Sequence, residues 1–248
     1  MFGTYIERDE AVEITISVLA ISLAMGIFFA RPAGVQAFPI EFLLFMLPLI
    51  VTVGSGFILH EMAHKIMAIY YGAAARFHMW VGGLVFMLAT SVMGAMFAAP
   101  GAVYIFSDRI TRRENGLISL GGPLVNIALV AVFLALDFAL PVRQFYSFLL
   151  QHGTDLSGFG VVSGVLRVWK FGASINLVLA LFNMIPVFPL DGSKVFAWNK
   201  PVWMIVVGGL LALGSAIISP GIIIGFVIML LFVTLISKLL FGWRNERR

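Results

Sequence analysis

Apolar runs long enough to cross a bilayer recur along the chain, separated by short segments rich in Gly, Pro and charge. A bilayer span needs about 20 mostly apolar residues. The pattern predicts spans at Ala11–Ala30, about Ile40–Tyr71, Gly116–Leu140, about Ser163–Ile185, Val202–Ile218 and Ile222–Leu240, the last two hinged at Ser219-Pro220-Gly221. The second run is too long to lie wholly in hydrocarbon, so its last turns are expected to project into the interface near Lys65. Between the second and third runs, Val81–Ala98 is apolar but broken by Gly82-Gly83, Gly94 and Pro100-Gly101. The stretch Phe97–Ile105 reads as a small-residue bend entering a short β strand. It is either a packing loop or an edge to which an extended peptide can add by main-chain hydrogen bonds.

Charge placement then sets the topology, because Lys and Arg concentrate in short cytoplasmic loops. The basic segments are Arg76, Arg109–Arg113, Lys194 with Lys200, and the tail Arg244–Arg248. If Val81–Ala98 dips in and returns, all of these fall on one side, and the loops Arg31–Pro39 and Pro141–Gly160 fall on the other. The expectation is an all-α polytopic membrane protein of about six transmembrane helices, both termini cytoplasmic, with a re-entrant, partly β segment between spans 2 and 3. A single crossing of Val81–Ala98 would instead give about seven spans. The acidic start, with Glu7, Asp9 and Glu10, is unlike a cleavable signal peptide. No internal repeat is evident, and residues 1–248 read as one membrane-embedded domain.

Composition agrees and narrows the function. Of 248 residues 61% are hydrophobic and 11% charged, with a mean hydropathy of +1.04. Soluble domains average about 45–50% apolar and about 25% charged, so a water-soluble domain is excluded and the lipid bilayer is the expected surrounding. The absence of Cys removes disulfides, thiolate metal sites and Cys nucleophiles. The net charge of +4 reads as topology information, and no nucleic-acid partner is expected.

Chemistry concentrates at His60-Glu61-Met62-Ala63-His64. On a helix the two histidines project from one face, one turn apart, and can bind one Zn²⁺. Glu61 is then placed to take a proton from the attacking water. The bland alternative is a pair of interfacial histidines that only hydrogen-bond, but polar groups on an apolar span are costly unless paired or functional. A catalytic zinc takes three protein ligands. Glu13 and Asp137 sit at span ends, where solvated caps are usual. Glu41 lies roughly 30 Å along the helix from His60. Asp191 remains, at the depth of His60 by the topology above, in a segment that Pro186, Pro189 and Gly192 keep from being helical. Irregular backbone in a membrane is tolerated only where it is buried in protein or lines a wet cavity. On its own, Asp191-Gly192 could be a simple Asx turn.

Together with Asn183-Met184-Ile185-Pro186 leading to Leu190-Asp191-Gly192, and with Gly122-Pro123-Leu124-Val125-Asn126 between them, the His60–His64 motif resembles the site-2 protease family of intramembrane zinc metalloproteases. The resemblance runs from about His60 to Gly192. It implies His60, His64 and Asp191 as ligands of one Zn²⁺, Glu61 as catalytic acid/base, and Asn183 as a catalytic polar residue meeting substrate or the developing oxyanion. Its core would occupy about residues 40–192, with peripheral spans at 11–30, 202–218 and 222–240, and the site would lie toward the cytoplasmic face of the cell membrane. Some relatives carry a PDZ or CBS domain, for which this chain has no room, so it looks like a minimal bacterial or archaeal member.

The implied activity is hydrolysis of peptide bonds within or near transmembrane segments of membrane-protein substrates, as in regulated intramembrane proteolysis. Two other readings are a metal-ion transporter or channel and an inactive membrane scaffold of the same fold. Asn126 is expected either to support the site or to bond a neighbouring helix. His78, beside Arg76 and Trp80, reads as an interface anchor, and His152 as an outer-loop residue.

Overall fold

The computed structural model describes residues 6–37, 39–96, 100–107, 109–139 and 168–241. The predicted loop Pro141–Gly160, His152, the start of the Ser163 span and the basic tail lie outside them. The chain runs through α1 (Arg8–Ala37), α2 (Pro39–Leu49), a π-helical turn (Ile50–Gly54), α3 (Ser55–Tyr70), β1 (Ala74–Met79), α4 (Val81–Val92) and β2 (Gly101–Phe106). It continues through α5 (Arg112–Ala139), α6 (Val168–Asn183), α7 (Asp191–Trp198), α8 (Lys200–Ile217) and α9 (Pro220–Phe241).

Among the described residues, four helical stretches are long and apolar enough to cross a membrane: Arg8–Phe29, Met46–Tyr70, Arg112–Ala139 and Lys200–Ile217. They match four of the expected spans, but α1 runs on to Ala37, so most of the loop expected at Arg31–Pro39 is helical. The other two correspond to α6, Val168–Asn183, and α9, Pro220–Phe241. The first of these begins where description begins, so its predicted start at Ser163 is not covered.

Two apolar cores flank α3. One gathers Ile14 and Ile21 of α1, Leu49 and Val53, Phe57 of α3, Phe77 of β1, and Leu84 and Met87 of α4. The other gathers Leu120, Val130 and Phe133 of α5, Leu177 and Leu181 of α6, Val195 of α7, and Val207 and Leu210 of α8. Outward-facing residues such as Leu43, Leu47, Val85, Ile205 and Leu231 are exposed and apolar, as a surface solvated by lipid requires.

The segment between α3 and α5 forms a β–α–β hairpin. Gly72, at φ +79°, ends α3. That left-handed conformation suits Gly, and it lets the Gly72 and Ala73 N–H groups cap the Ile69 and Ala68 carbonyls at 2.9 Å each. The chain then enters β1, which pairs antiparallel with β2 from Ala74↔Phe106 to Met79↔Gly101. Trp80 N–H donates to Pro100 O at 3.0 Å and closes the neck of the loop holding α4. The chain therefore enters and leaves α4 side by side. Phe97–Ala99 lies outside the described residues, while the strand expected after it is β2.

At the other side of the site, Pro186 and Pro189 offer no N–H, so α6 stops at Asn183 and its last carbonyls need other donors. Ile185 N–H supplies one to Phe182 O at 3.2 Å, and just past the helix Trp203 Nε1–H of α8 donates to Met184 O at 2.8 Å. The short turn that follows delivers Asp191 as the first residue of α7.

Candidate metal centre

The spacing of His60 and His64 puts both rings on one face of α3, and both are buried. Asp191 reaches them from α7: its Oδ2 lies 3.2 Å from His60 Nε2 and 3.0 Å from His64 Nε2. The two Nε2 atoms are 3.1 Å apart. All three residues are buried and form a group able to hold one metal ion.

The hydrogen bonds behind the rings fix which atoms face inward. His64 Nδ1 lies 2.9 Å from Ile118 O, a carbonyl that can only accept, so Nδ1 carries the proton. His60 Nδ1 lies 2.6 Å from Asn126 Oδ1. The Asn126 amide cannot be turned round, because its Nδ2 donates to Gly56 O at 3.2 Å and to Asn176 Oδ1 at 2.9 Å. Asn176 is held in turn by donating to Thr52 O at 3.2 Å and Gly172 O at 2.9 Å. Thr52 lies in the π-helical turn, a local unwinding that is frequent near functional sites. In the neutral imidazoles Nε2 is therefore the atom free to ligate, and each Nε2 faces the other ring and a carboxylate oxygen.

Three electron-rich atoms meeting in a buried space repel one another. A proton can bridge one pair of them, whereas a divalent cation serves all three. Zinc at about 2.0–2.1 Å from tetrahedral donors separates those donors by about 3.3 Å, close to the spacing found. Gly122 of α5 leaves the space open. A Cβ there would sit 2.6 Å from His60 Nε2 and Cε1 and from His64 Nε2. The donor set, its tautomers and the vacancy of side chain at Gly122 all fit zinc.

Glu61, between the histidines on α3, faces the hairpin, and its Oε2 accepts from Val103 N–H of β2 at 2.9 Å. Asn183 closes α6. Its Nδ2 donates to Leu179 O at 3.1 Å, back along its own helix rather than into the histidine–aspartate group. Asn126, for which sequence left two roles open, both supports His60 and links α5 to α3 and α6. His78 contacts Glu13 Oε2 at 3.5 Å and packs edge-on against Tyr104, away from the metal group.

Some polar residues near the site differ from, or were absent from, the expectation. Glu13 is no solvated cap: its Oε2 accepts from Met79 N–H at 2.8 Å. Lys65 is 3% exposed and donates to Glu10 Oε1 and Oε2 at 2.7 and 2.6 Å. Asn176 was not singled out. The available signal was a buried-type polar residue on an apolar helix, seven positions before Asn183.

A buried group of two histidines and a carboxylate able to hold a metal ion, with a glutamate beside the first histidine and set among membrane-length helices, is the arrangement of a membrane metalloprotease. The model of peptidase family M50 matches residues 48–199, and the chain belongs to that family, the site-2 proteases. It is 41% identical over 200 residues to "Putative zinc metalloprotease MJ0611" of Methanocaldococcus jannaschii, an alignment covering 80% of this chain and 89% of that protein. It is 27% identical over 159 residues to "Putative zinc metalloprotease YwhC" of Bacillus subtilis, covering 59% of this chain and 66% of that one. Against "Putative zinc metalloprotease Rip3" of Mycobacterium tuberculosis the identity is 26% over 145 residues, which is 57% of this chain and 28% of that longer protein. No solved structure matches the chain.

Proposed function

We propose that the chain is an intramembrane zinc endopeptidase that cleaves peptide bonds within or near transmembrane segments of membrane-protein substrates. The observation that carries this reading is the meeting of Asp191, brought in by α7, with His60 and His64 on a helix of membrane length, with Glu61 alongside. His60 and His64 through Nε2, and Asp191 through Oδ2, would hold the ion. Zinc, when bound, supplies Lewis acidity toward water and the scissile carbonyl.

The chain's own groups do the rest. A helical substrate hides its peptide carbonyls in its own hydrogen bonds, so the segment to be cut must first unwind. The edge of β2 beside Glu61 offers main-chain partners to an extended segment. Glu61 takes one proton from water as the water oxygen bonds to the carbonyl carbon. The same carboxylic acid then delivers that proton to the amide nitrogen as the C–N bond breaks. In this reading the Asn183 amide turns from Leu179 O to donate to the developing oxyanion.

The orientation follows from the basic segments. With Arg76 and Arg109–Arg113 on the cytoplasmic side, α4 is a re-entrant element, and the side-by-side paths of β1 and β2 support that course. About six spans result, with the site toward the cytoplasmic face of the cell membrane. The test is Glu61→Gln. Purified variant protein should retain its zinc and lose cleavage of a transmembrane substrate. Cleavage at the wild-type rate would refute the acid/base role, and zinc flux without cleavage in wild type would favour a transporter.

A further inference from the structure

A hairpin of two strands has two outward edges whose N–H groups need partners. Here carboxylates supply them on both sides. On β1, Phe77 N–H donates to Glu10 Oε1 at 2.9 Å and Met79 N–H to Glu13 Oε2 at 2.8 Å, both from α1. On β2, Val103 N–H donates to Glu61 Oε2 at 2.9 Å. Phe77 and Val103 lie directly opposite one another across the hairpin.

Glu10 has a second attachment. Both of its carboxylate oxygens accept from Lys65 Nζ, at 2.7 and 2.6 Å, and the pair is almost fully buried, at 1% and 3% exposure. Lys65 stands four residues after Glu61 on α3, one helical turn on. The contacts therefore close a ring: Glu61 to Val103, across to Phe77, to Glu10, to Lys65, and back along one turn of α3 to Glu61. Burying an ion pair is a poor way to add stability, because desolvation offsets the attraction; its best-attested use is to fix registry between elements. Neither Glu10 nor Lys65 belongs to the metal group.

We infer that Glu10 and Lys65 are positioning residues for peptide cleavage, their buried ion pair setting the placement of the Glu61 carboxylate against the outer edge of β2. The inference rests on the peptidase reading above. With the ring closed, α3 and the hairpin are tied at two points, and the base and the strand edge that would receive an extended substrate keep a fixed separation. With the pair removed, the Glu61–Val103 bond is the polar tie left between them among the described residues, beside the edge-on packing of Phe57 on Phe77.

The test removes the pair as a unit in Glu10→Gln/Lys65→Met. This variant strands no buried charge and keeps an amide oxygen for Phe77 N–H. Zinc content, amide exchange at Val103 without substrate, and kcat on a transmembrane substrate are compared with wild type. The expected result is unchanged zinc, Val103 exchange faster by about tenfold or more, and kcat lower by about tenfold or more. Wild-type exchange and a kcat within about twofold of wild type would overturn the proposal and leave the peptidase reading standing. Absence of cleavage by zinc-loaded wild type would strike the peptidase reading instead, while the exchange measurement still decides the ring. Should the double variant not fold, Glu10→Asp keeps both charges but withdraws the carboxylate by one methylene. Wild-type exchange and kcat in that variant equally overturn the inference.

Discussion

The Asn126 carboxamide oxygen accepts the His60 Nδ1 proton at 2.6 Å, across 66 residues of sequence, and this fixes the ring nitrogen that faces Asp191. Partners of this kind behind a metal ligand set its tautomer, and losing one typically costs about 10–100-fold in metal affinity or activity. Asn126→Leu should therefore weaken zinc binding by about that factor in competition with a chelator. Asn176→Leu, one link further from the ring, should weaken it less. Equal affinity in wild type and Asn126→Leu would show that the His60 tautomer is set elsewhere.

Gly122→Ala tests the space at the site with a single methyl group. An alanine in a helix interior ordinarily stabilises by about 1 kcal/mol relative to glycine. Here the new Cβ would lie 2.6 Å from ring atoms of both His60 and His64. The expected outcome is a folded helix bundle with zinc content well below that of wild type, read by metal analysis of purified protein. Full zinc content would show that the rings can retreat.

Asn183→Ala separates a catalytic role from helix packing. If its amide donates to the oxyanion, kcat should fall by about 10²–10³-fold with zinc content unchanged. If the bond to Leu179 O is its whole contribution, kcat will stay near wild type and only thermal stability will shift.

Much of the site was legible before any coordinates. The four-residue spacing of His60 and His64 encodes one helical face, and Pro186 and Pro189 encode the break that frees Asp191. The two segments are expected at one depth from the order of apolar runs and basic loops alone. The strand β2 was also expected. Its partner was not, because Arg76, His78 and Trp80 at alternate positions suit an interface anchor in the headgroup region equally well.

Glu10, Glu13 and Lys65 were misread or passed over for a related reason. Their partners are backbone N–H groups on a hairpin edge and one another, and no local pattern announces such a pairing across 55 or more positions. Glutamates at positions 7, 10 and 13 share a helix face. That stripe looks like a solvated end until β1 is laid against it. Likewise Asn176 becomes informative only once α6 is seen to bring it to Asn126 and the carbonyl of Thr52.

The account depends above all on Asp191 completing a zinc site with His60 and His64. Its most direct test is X-ray absorption at the zinc edge on purified protein, wild type beside Asp191→Ala. Wild type should show two imidazole nitrogens and a carboxylate oxygen at about 2.0–2.2 Å, and the variant should lose the carboxylate and most of its zinc. An identical zinc spectrum and content in the two proteins would contradict it.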